Sequence, residues 1–274
     1  MKCNVSMLKD YLRCPQLAYN LHVLRRGDGK RSVALEVGTL FHEAMEQRLR
    51  GVASKAWTLP SFADVSDEGR AAWNKHKLWL PADAFILPPE WEVLAVENAL
   101  EGVELGTVVQ GRLDALVQYN GKVWSLQWKT YDNDLLLLQE RVRLSMHEVI
   151  YQWLAKENAI TPWGGTILGA CQKLPGYRLV GGKRQEIGDK EREQALTFHY
   201  LTRSEQQQSS MAWYTLAQME NMNTSIGWTK APIPMRNFDQ CFGQSGRGRC
   251  PYFSVCHEGG KLNDPQFIDI APRY

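Results

Sequence analysis

The sequence lacks several features that would assign a function directly. No apolar run approaches the roughly 20 residues of a membrane helix, and the N-terminus has no signal-peptide pattern. The chain contains no G-x-x-x-x-G-K-[ST] phosphate loop, no G-x-S-x-G elbow and no H-E-x-x-H zinc helix. We therefore expect a cytoplasmic protein with no membrane contact and no ATP-driven motor of its own.

The chain also has little net charge and few cysteines. A net charge of +2 over 274 residues creates no overall field, so any contact with nucleic acid must come from local basic patches. Hydrophobic residues at 44% and charged residues at 23% are typical of soluble globular proteins. Structural disulfides are rare in the cytoplasm, so the positions of the six cysteines are informative.

The most informative stretch is residues 108–130, which the pattern predicts to be a β-hairpin turning at Asn120-Gly121. Asp114 lies on its first strand. Gln127 and Lys129 lie two apart on the second strand and therefore share a face. An acid opposite a polar residue and a lysine is typical of a metal-dependent phosphodiesterase site. The alternative is a half-solvated strand whose polar residues face water.

Two helices flank this hairpin in sequence. Residues 34–49 form an amphipathic pattern with His42 at its centre, and Gly38 one turn earlier would let another element approach closely. Residues 135–156 have the periodicity of one long helix, on which His147 and Tyr151 share a face. The alternative for His42 is a structural hydrogen-bonding residue. The alternative for the second helix is an amphipathic helix with two semi-polar residues near its edge.

The remaining segments predict an α/β order. Strands are expected at residues 91–97, 161–174 and 194–200, and a helix at residues 204–222. We expect a central mixed sheet flanked by helices.

Three cysteines cluster near the C-terminus, at positions 241, 250 and 256. In a cytoplasmic protein such a cluster favours a metal over disulfides. The loose spacing favours an iron–sulfur cluster over zinc, for which paired C-x₂₋₄-C motifs are usual. Cys14, which precedes Pro15, is the best candidate for a fourth ligand, although a lone cysteine is most often a small buried apolar residue.

Several short motifs together resemble the RecB-like branch of the PD-(D/E)XK nucleases, above all its iron–sulfur members, the CRISPR-associated RecB-like exonucleases and the nuclease domain of AddB. In chain order they are CPQLAYN, GTLFH, GRLDAL, SLQWKT, the helix with Tyr151, and CPYFSVC. The resemblance implies a restriction-endonuclease-like fold. It also implies one nuclease domain over residues 1–274, with a core at 34–225 between iron–sulfur segments at 1–33 and 226–274.

The resemblance also implies roles for individual residues. The side chains of His42, Asp114 and Gln127 and the main-chain carbonyl of Trp128 would bind Mg²⁺ or Mn²⁺. Lys129 would orient the attacking water or stabilise charge on the phosphate. The residue that positions DNA would be Tyr151, and the four that hold a structural 4Fe–4S cluster would be Cys14, Cys241, Cys250 and Cys256.

The implied activity is metal-dependent cleavage of DNA by an exonuclease that acts on single strands or ends. The implied partners are a helicase or a protein of recombination or CRISPR adaptation. This chain departs from the family where Gln127 replaces an acid, where His147 replaces a glutamine, and in the long spacing from Cys241 to Cys250. Gln127 therefore leaves an alternative, a catalytically silent relative with an iron–sulfur or zinc site that binds DNA or a partner protein.

Overall fold

The computed structural model describes residues 2–27, 31–52, 59–104, 106–227 and 268–269. The chain divides into two compact units: a larger one of residues 31–100 and 112–208, and a smaller one of residues 1–30, 101–111 and 209–274. The candidate residues on the hairpin and its two flanking helices all belong to the larger unit. The division into a nuclease core and two iron–sulfur segments stays a prediction.

Strands and helices are interspersed along the described chain, in short runs of one kind. The strands are β1 Lys2–Asn4, β2 Arg26–Gly27, β3 Glu92–Glu104, β4 Thr107–Tyr119, β5 Lys122–Tyr131, β6 Trp163–Gln172, β7 Tyr177–Val180, β8 Lys183–Glu186, β9 Leu196–Leu201 and β10 Ile268–Asp269. The α-helices are α1 Val5–Arg13, α2 Pro15–Ala18, α3 Val33–Leu49, α4 Asp67–His76, α5 Trp79–Ala84, α6 Leu135–Arg143, α7 Met146–Glu157, α8 Asp189–Glu193 and α9 Glu205–Gly227. None of the described helices is long and apolar enough to span a membrane.

The larger unit is built on a mixed sheet. β4 and β5 are antiparallel, β5 and β6 are parallel, and β6 and β9 are antiparallel. β3 also pairs with β4. The expected α/β architecture with a mixed sheet is confirmed. The helical connection between β5 and β6 is what a parallel pair requires, since its strands run in the same direction.

The predicted hairpin is confirmed as β4 and β5. Its turn residues, Asn120 and Gly121, have φ angles of 49° and 70°. Two positive φ angles define the type I′ turn, whose twist matches that of the flanking strands. The turn fixes the register of the ladder, in which Tyr119 lies opposite Lys122.

Helices cover both faces of this sheet, as the alternation of strand side chains requires. On β6, Ile167 belongs to a core shared with α3, α4 and α5, whereas Leu168 belongs to a core shared with α6. The α3 helix starts at its N-cap Ser32, whose hydroxyl accepts from the Leu35 N–H. It buries Leu40 and Phe41 completely.

The smaller unit holds the N-terminal helices. Asn4 caps α1 by accepting from the Met7 N–H, and β1 runs parallel to the start of β4. The break between α1 and α2 falls at Cys14, because Pro15 cannot continue a helix but can begin one. The Cys14 thiol is free and buried. The C-terminal cysteines at 241, 250 and 256 lie outside the described residues.

Two local expectations were wrong. The single helix over residues 135–156 is two helices, because Ser145 accepts from the His147 N–H and so caps a new helix, α7. Gly38 is not a close-packing position: a Cβ added there would meet none of the described atoms within 4 Å.

Two glycine substitutions test this packing. Gly169→Ala should destabilise the protein by about 1–3 kcal/mol, because the added Cβ would overlap the Trp128 ring. Gly38→Ala should stabilise it by about 1 kcal/mol, because alanine favours the helix and the site is open. Urea unfolding measures both, and a stabilising Gly169→Ala would contradict the assigned packing.

Candidate active site

The site begins where the ladder between β4 and β5 ends. The last paired residues are Ala115 and Leu126, so Asp114 and Gln127 are the next opposing positions and share a face. Beyond them the Trp128 N–H donates to Asp114 Oδ2 at 2.9 Å. A side-chain carboxylate thus accepts the hydrogen bond that a strand carbonyl would otherwise take. The Trp128 carbonyl points to the same edge as its N–H, towards Asp114.

His42 reaches the same carboxylate from helix α3. Its Nδ1 lies 3.3 Å from Asp114 Oδ2, and both side chains are mostly buried. Burial alone would raise the pKa of Asp114. The His42 ring, the Lys129 ammonium and the Trp128 N–H outweigh that effect and lower the pKa to about 2. Asp114 is therefore an anion at neutral pH.

Lys129 lies two residues beyond Gln127 on β5 and on the same face. In the part of the chain that the structure describes, no carboxylate lies within ion-pair distance of its ammonium. Its positive charge nevertheless lowers the pKa of both Asp114 and Glu148. The Lys129 ammonium thus interacts electrostatically with two acids, and neither of them forms an ion pair with it.

Gln127 is almost fully buried beside Asp114, with 6% of its surface exposed. A half-solvated strand would instead expose this position. The alternative that the polar residues of the hairpin face water is therefore wrong for Gln127. Its amide offers a carbonyl oxygen but no charge.

Tyr151 lies on α7, and its ring centroid is 6.2 Å from that of His147. Burial raises the pKa of Tyr151, and the charges of Glu148, Asp114 and Glu97 raise it further. The Tyr151 hydroxyl therefore keeps its proton and is available as a hydrogen-bond donor close to these acids.

The sequence left open whether Glu97 reaches the site, and the structure brings it there. Glu97 forms an ion pair with Arg112 on β4. Burial raises the pKa of Glu97, Arg112 opposes this, and the charges of Asp114 and Glu46 raise it further. Glu97 also has a φ of 54°, an unusual and strained value for glutamate.

Sequence reasoning missed Glu148. This α7 residue is 1% exposed, and its Oε2 accepts hydrogen bonds from the Thr166 hydroxyl and, at 3.4 Å, from that of Ser125. Its Oε1 has no partner among the described residues. Burial raises the pKa of Glu148, while Thr166, Arg203 and Lys129 oppose the shift. One signal was available: Glu148 lies one helical turn before Tyr151, on the face that carries the candidate tyrosine.

The donors gathered here suit a hard divalent cation. They are the Asp114 carboxylate, the amide oxygen of Gln127 and the main-chain oxygen of Trp128, with the His42 ring beside them. Carboxylate and carbonyl oxygens are the ligands that Mg²⁺ and Mn²⁺ prefer. Among the described residues, there is no group of three or more His, Cys, Asp or Glu side chains that could hold a metal ion by itself. Any cation bound here would therefore depend on the amide and main-chain oxygens as well.

Glu148→Gln should stabilise the metal-free protein more strongly as pH rises. The carboxyl has an ordinary pKa near 4.5 when unfolded and a raised pKa when folded. The folded state therefore resists ionisation, and stability is lost as pH rises above the unfolded value. Urea unfolding in EDTA at pH 5 and pH 8 measures the effect.

The matched control is Glu157→Gln, at an exposed position at the end of the same helix. A gain from Glu148→Gln that shrinks with rising pH would contradict the assigned burial.

None of the curated proteins matches the chain. A solved structure described as "Putative exonuclease" from Eubacterium rectale aligns at 11% identity and a TM-score of 0.45, covering 87% of this chain and 85% of that one. The protein SSO0001 aligns at 17% identity and a TM-score of 0.27, covering 77% and 82%. The model of the PD-(D/E)XK nuclease superfamily matches residues 2–257, so the chain belongs to that superfamily.

Proposed function

We propose that this chain is a divalent-metal-dependent deoxyribonuclease, an exonuclease of the RecB-like branch that acts on single strands or DNA ends. PD-(D/E)XK nucleases generally use divalent metals, and a nuclease family implies a DNA substrate. The single observation that carries the proposal is the position of Asp114. Its carboxylate is ionised, lies opposite Gln127, accepts the Trp128 N–H and interacts electrostatically with Lys129, which has no ion-pair partner among the described residues.

Four residues would hold the cation. Asp114 supplies the charge, Gln127 and Trp128 supply neutral oxygens, and His42 orients the Asp114 carboxylate or joins the ligands. A bound Mg²⁺ or Mn²⁺ would lower the pKa of a water molecule and neutralise charge on the phosphate. Since Gln127 carries no charge, we expect weak cation binding and a preference for Mn²⁺.

The other side chains act on the substrate. Lys129 can orient the attacking water or stabilise the negative charge that grows on the phosphate. Tyr151 keeps its proton and can donate a hydrogen bond to a DNA phosphate. Glu97 and Glu148 would supply the negative charge that Gln127 does not, because both interact electrostatically with Asp114.

A structural 4Fe–4S cluster belongs to this proposal. Its ligands would be Cys14, Cys241, Cys250 and Cys256. Of these four, Cys14 alone lies among the described residues, where its thiol forms no disulfide and is buried at a helix break. The chain would act alone on free ends, with a helicase, or in a recombination or CRISPR-adaptation complex.

End-labelled linear DNA, single-stranded and double-stranded, tests the activity. The wild-type chain should cut it with Mg²⁺ or Mn²⁺ and not in EDTA. Asp114→Ala and Lys129→Ala should each lower the rate about 100-fold or more. Asp114→Ala removes the charge that would hold the cation, and Lys129→Ala removes the positive charge that would stabilise the phosphate. A single cooperative thermal transition would show that each variant folds. Asp114→Ala should melt at a lower temperature, because the Trp128 N–H loses its acceptor.

Gln127→Glu refines the same assay. An added carboxylate should lower the Mn²⁺ concentration for half-maximal rate roughly ten-fold, since ligand charge sets affinity. The control is Gln118→Glu, an exposed position on the same hairpin with the same change of charge. A folded wild type that binds DNA but cuts it with neither metal would favour the silent relative.

The cluster is tested separately. Anaerobically purified protein should be brown, absorb broadly near ~400 nm, and contain iron and sulfide. Cys14→Ser should lose the colour, whereas Cys171→Ala should keep it, because Cys171 is buried in the sheet core. A colourless protein that holds one zinc ion would contradict the assignment.

A further inference from the structure

A basic hairpin arm projects from the larger unit. The hairpin arm consists of β7, β8 and the turn Gly181-Gly182, whose φ angles of 56° and 77° again define a type I′ turn. Every residue of the arm is exposed. A two-stranded hairpin that buries no side chain is at best marginally stable. Its side chains therefore contribute little to the core and are available for contacts at the surface.

The base of the hairpin arm is held firmly. The buried guanidinium of Arg192 donates to the carbonyls of Pro175 at 2.7 Å, Leu174 at 3.2 Å and His76 at 3.0 Å. Ile187, directly after β8, is buried. These contacts fix the loop from which the hairpin arm leaves the sheet, so its exposed residues are presented on an anchored support.

The hairpin arm carries three cations and one acid, Glu186, and only one of the cations has an ion-pair partner among the described residues. Arg178 pairs with Glu191 at 2.7 Å. Lys183 and Arg184 have no carboxylate within ion-pair distance in the described part of the chain, and Arg184 lies 4.6 Å from the centroid of the Tyr177 ring.

Apolar side chains stand opposite these cations. Val180 pairs with Lys183 and Leu179 with Arg184, and both apolar residues are more than half exposed. Free cations beside apolar and aromatic surface fit a nucleic-acid strand, which offers phosphates and stacked bases together.

The strand order places the base of the hairpin arm at one particular end of the sheet. β5 and β6 are parallel, with Lys129 opposite Ala170 and Tyr131 opposite Gln172. The hairpin arm begins five residues after Gln172, so it leaves the same end of the sheet at which Lys129 lies.

We propose that the hairpin arm binds the backbone of the DNA substrate beside the cleavage site. Leu179 and Arg184 lie on one face of the hairpin arm, and Val180 and Lys183 lie on the other. Each face would place its cation at a phosphate and its apolar side chain against a base, so the hairpin arm would contact the DNA with both faces. This inference rests on the proposed function, because it assigns a second contact to the same DNA.

Binding of short fluorescein-labelled DNA, single-stranded and duplex, tests the hairpin arm in EDTA, where nothing is cut. Lys183→Ala/Arg184→Ala should bind roughly three- to ten-fold more weakly, and the slope of log affinity against log salt should fall by about two, one for each lost phosphate contact. With Mn²⁺, KM should rise while kcat changes little. Lys183→Arg/Arg184→Lys keeps the charges and should bind like the wild type.

The matched control is Lys75→Ala/Lys156→Ala, which removes the same charge from exposed helical positions. Equal weakening by this control would overturn the inference, because net charge alone would then explain it. A wild type that cuts DNA while the variant in the hairpin arm binds unchanged would overturn the inference and leave the nuclease proposal intact. A wild type that neither binds nor cuts DNA would overturn both.

Discussion

The structure of the site depends on one carboxylate that completes a β-ladder. Asp114 accepts the Trp128 N–H where pairing between β4 and β5 stops, and it contacts the His42 ring. A buried N–H without an acceptor would cost about as much as a lost hydrogen bond. The same carboxylate therefore stabilises the strand end and keeps a negative charge there. The contacts that hold this carboxylate in the fold, with the His42 ring and the Trp128 N–H, also help to keep its pKa low although it is mostly buried.

The two glutamates that interact with Asp114 differ in how closely a cation approaches them. Glu97 has Arg112 as an ion-pair partner, whereas Glu148 has only hydroxyl contacts and more distant cations. Burial raises the pKa of both glutamates, because a low-dielectric surrounding disfavours their ionised form. A divalent cation near Asp114 would reverse that preference. On the proposed function, Glu97 and Glu148 would therefore ionise more readily when the cation binds, and their negative charge would then stabilise the cation.

How far the sequence predicts this structure depends on the range of the interactions. The hairpin follows from Asn120-Gly121, whose preference for positive φ is local, and the shared face of Asp114 and Gln127 follows from strand alternation. The division of the predicted helix at Ser145 was missed, although a cap is also local, because the apolar periodicity continues across it. Glu148 was missed for a different reason: its burial depends on Ser125 and Thr166, which only the folded sheet brings to it.

Gln127 gains a physical explanation from the same set of charges. An acid at this buried position would add a further carboxylate beside Asp114, within the field of Glu97 and Glu148. Without a cation, like charges in a low dielectric would raise the pKa values further and destabilise the folded state. A neutral amide keeps a carbonyl oxygen at that position and avoids the repulsion. On the proposed function, Glu97 and Glu148 supply the negative charge that an acid on the strand would otherwise provide. The absence of an acid at position 127 therefore does not make the chain inactive.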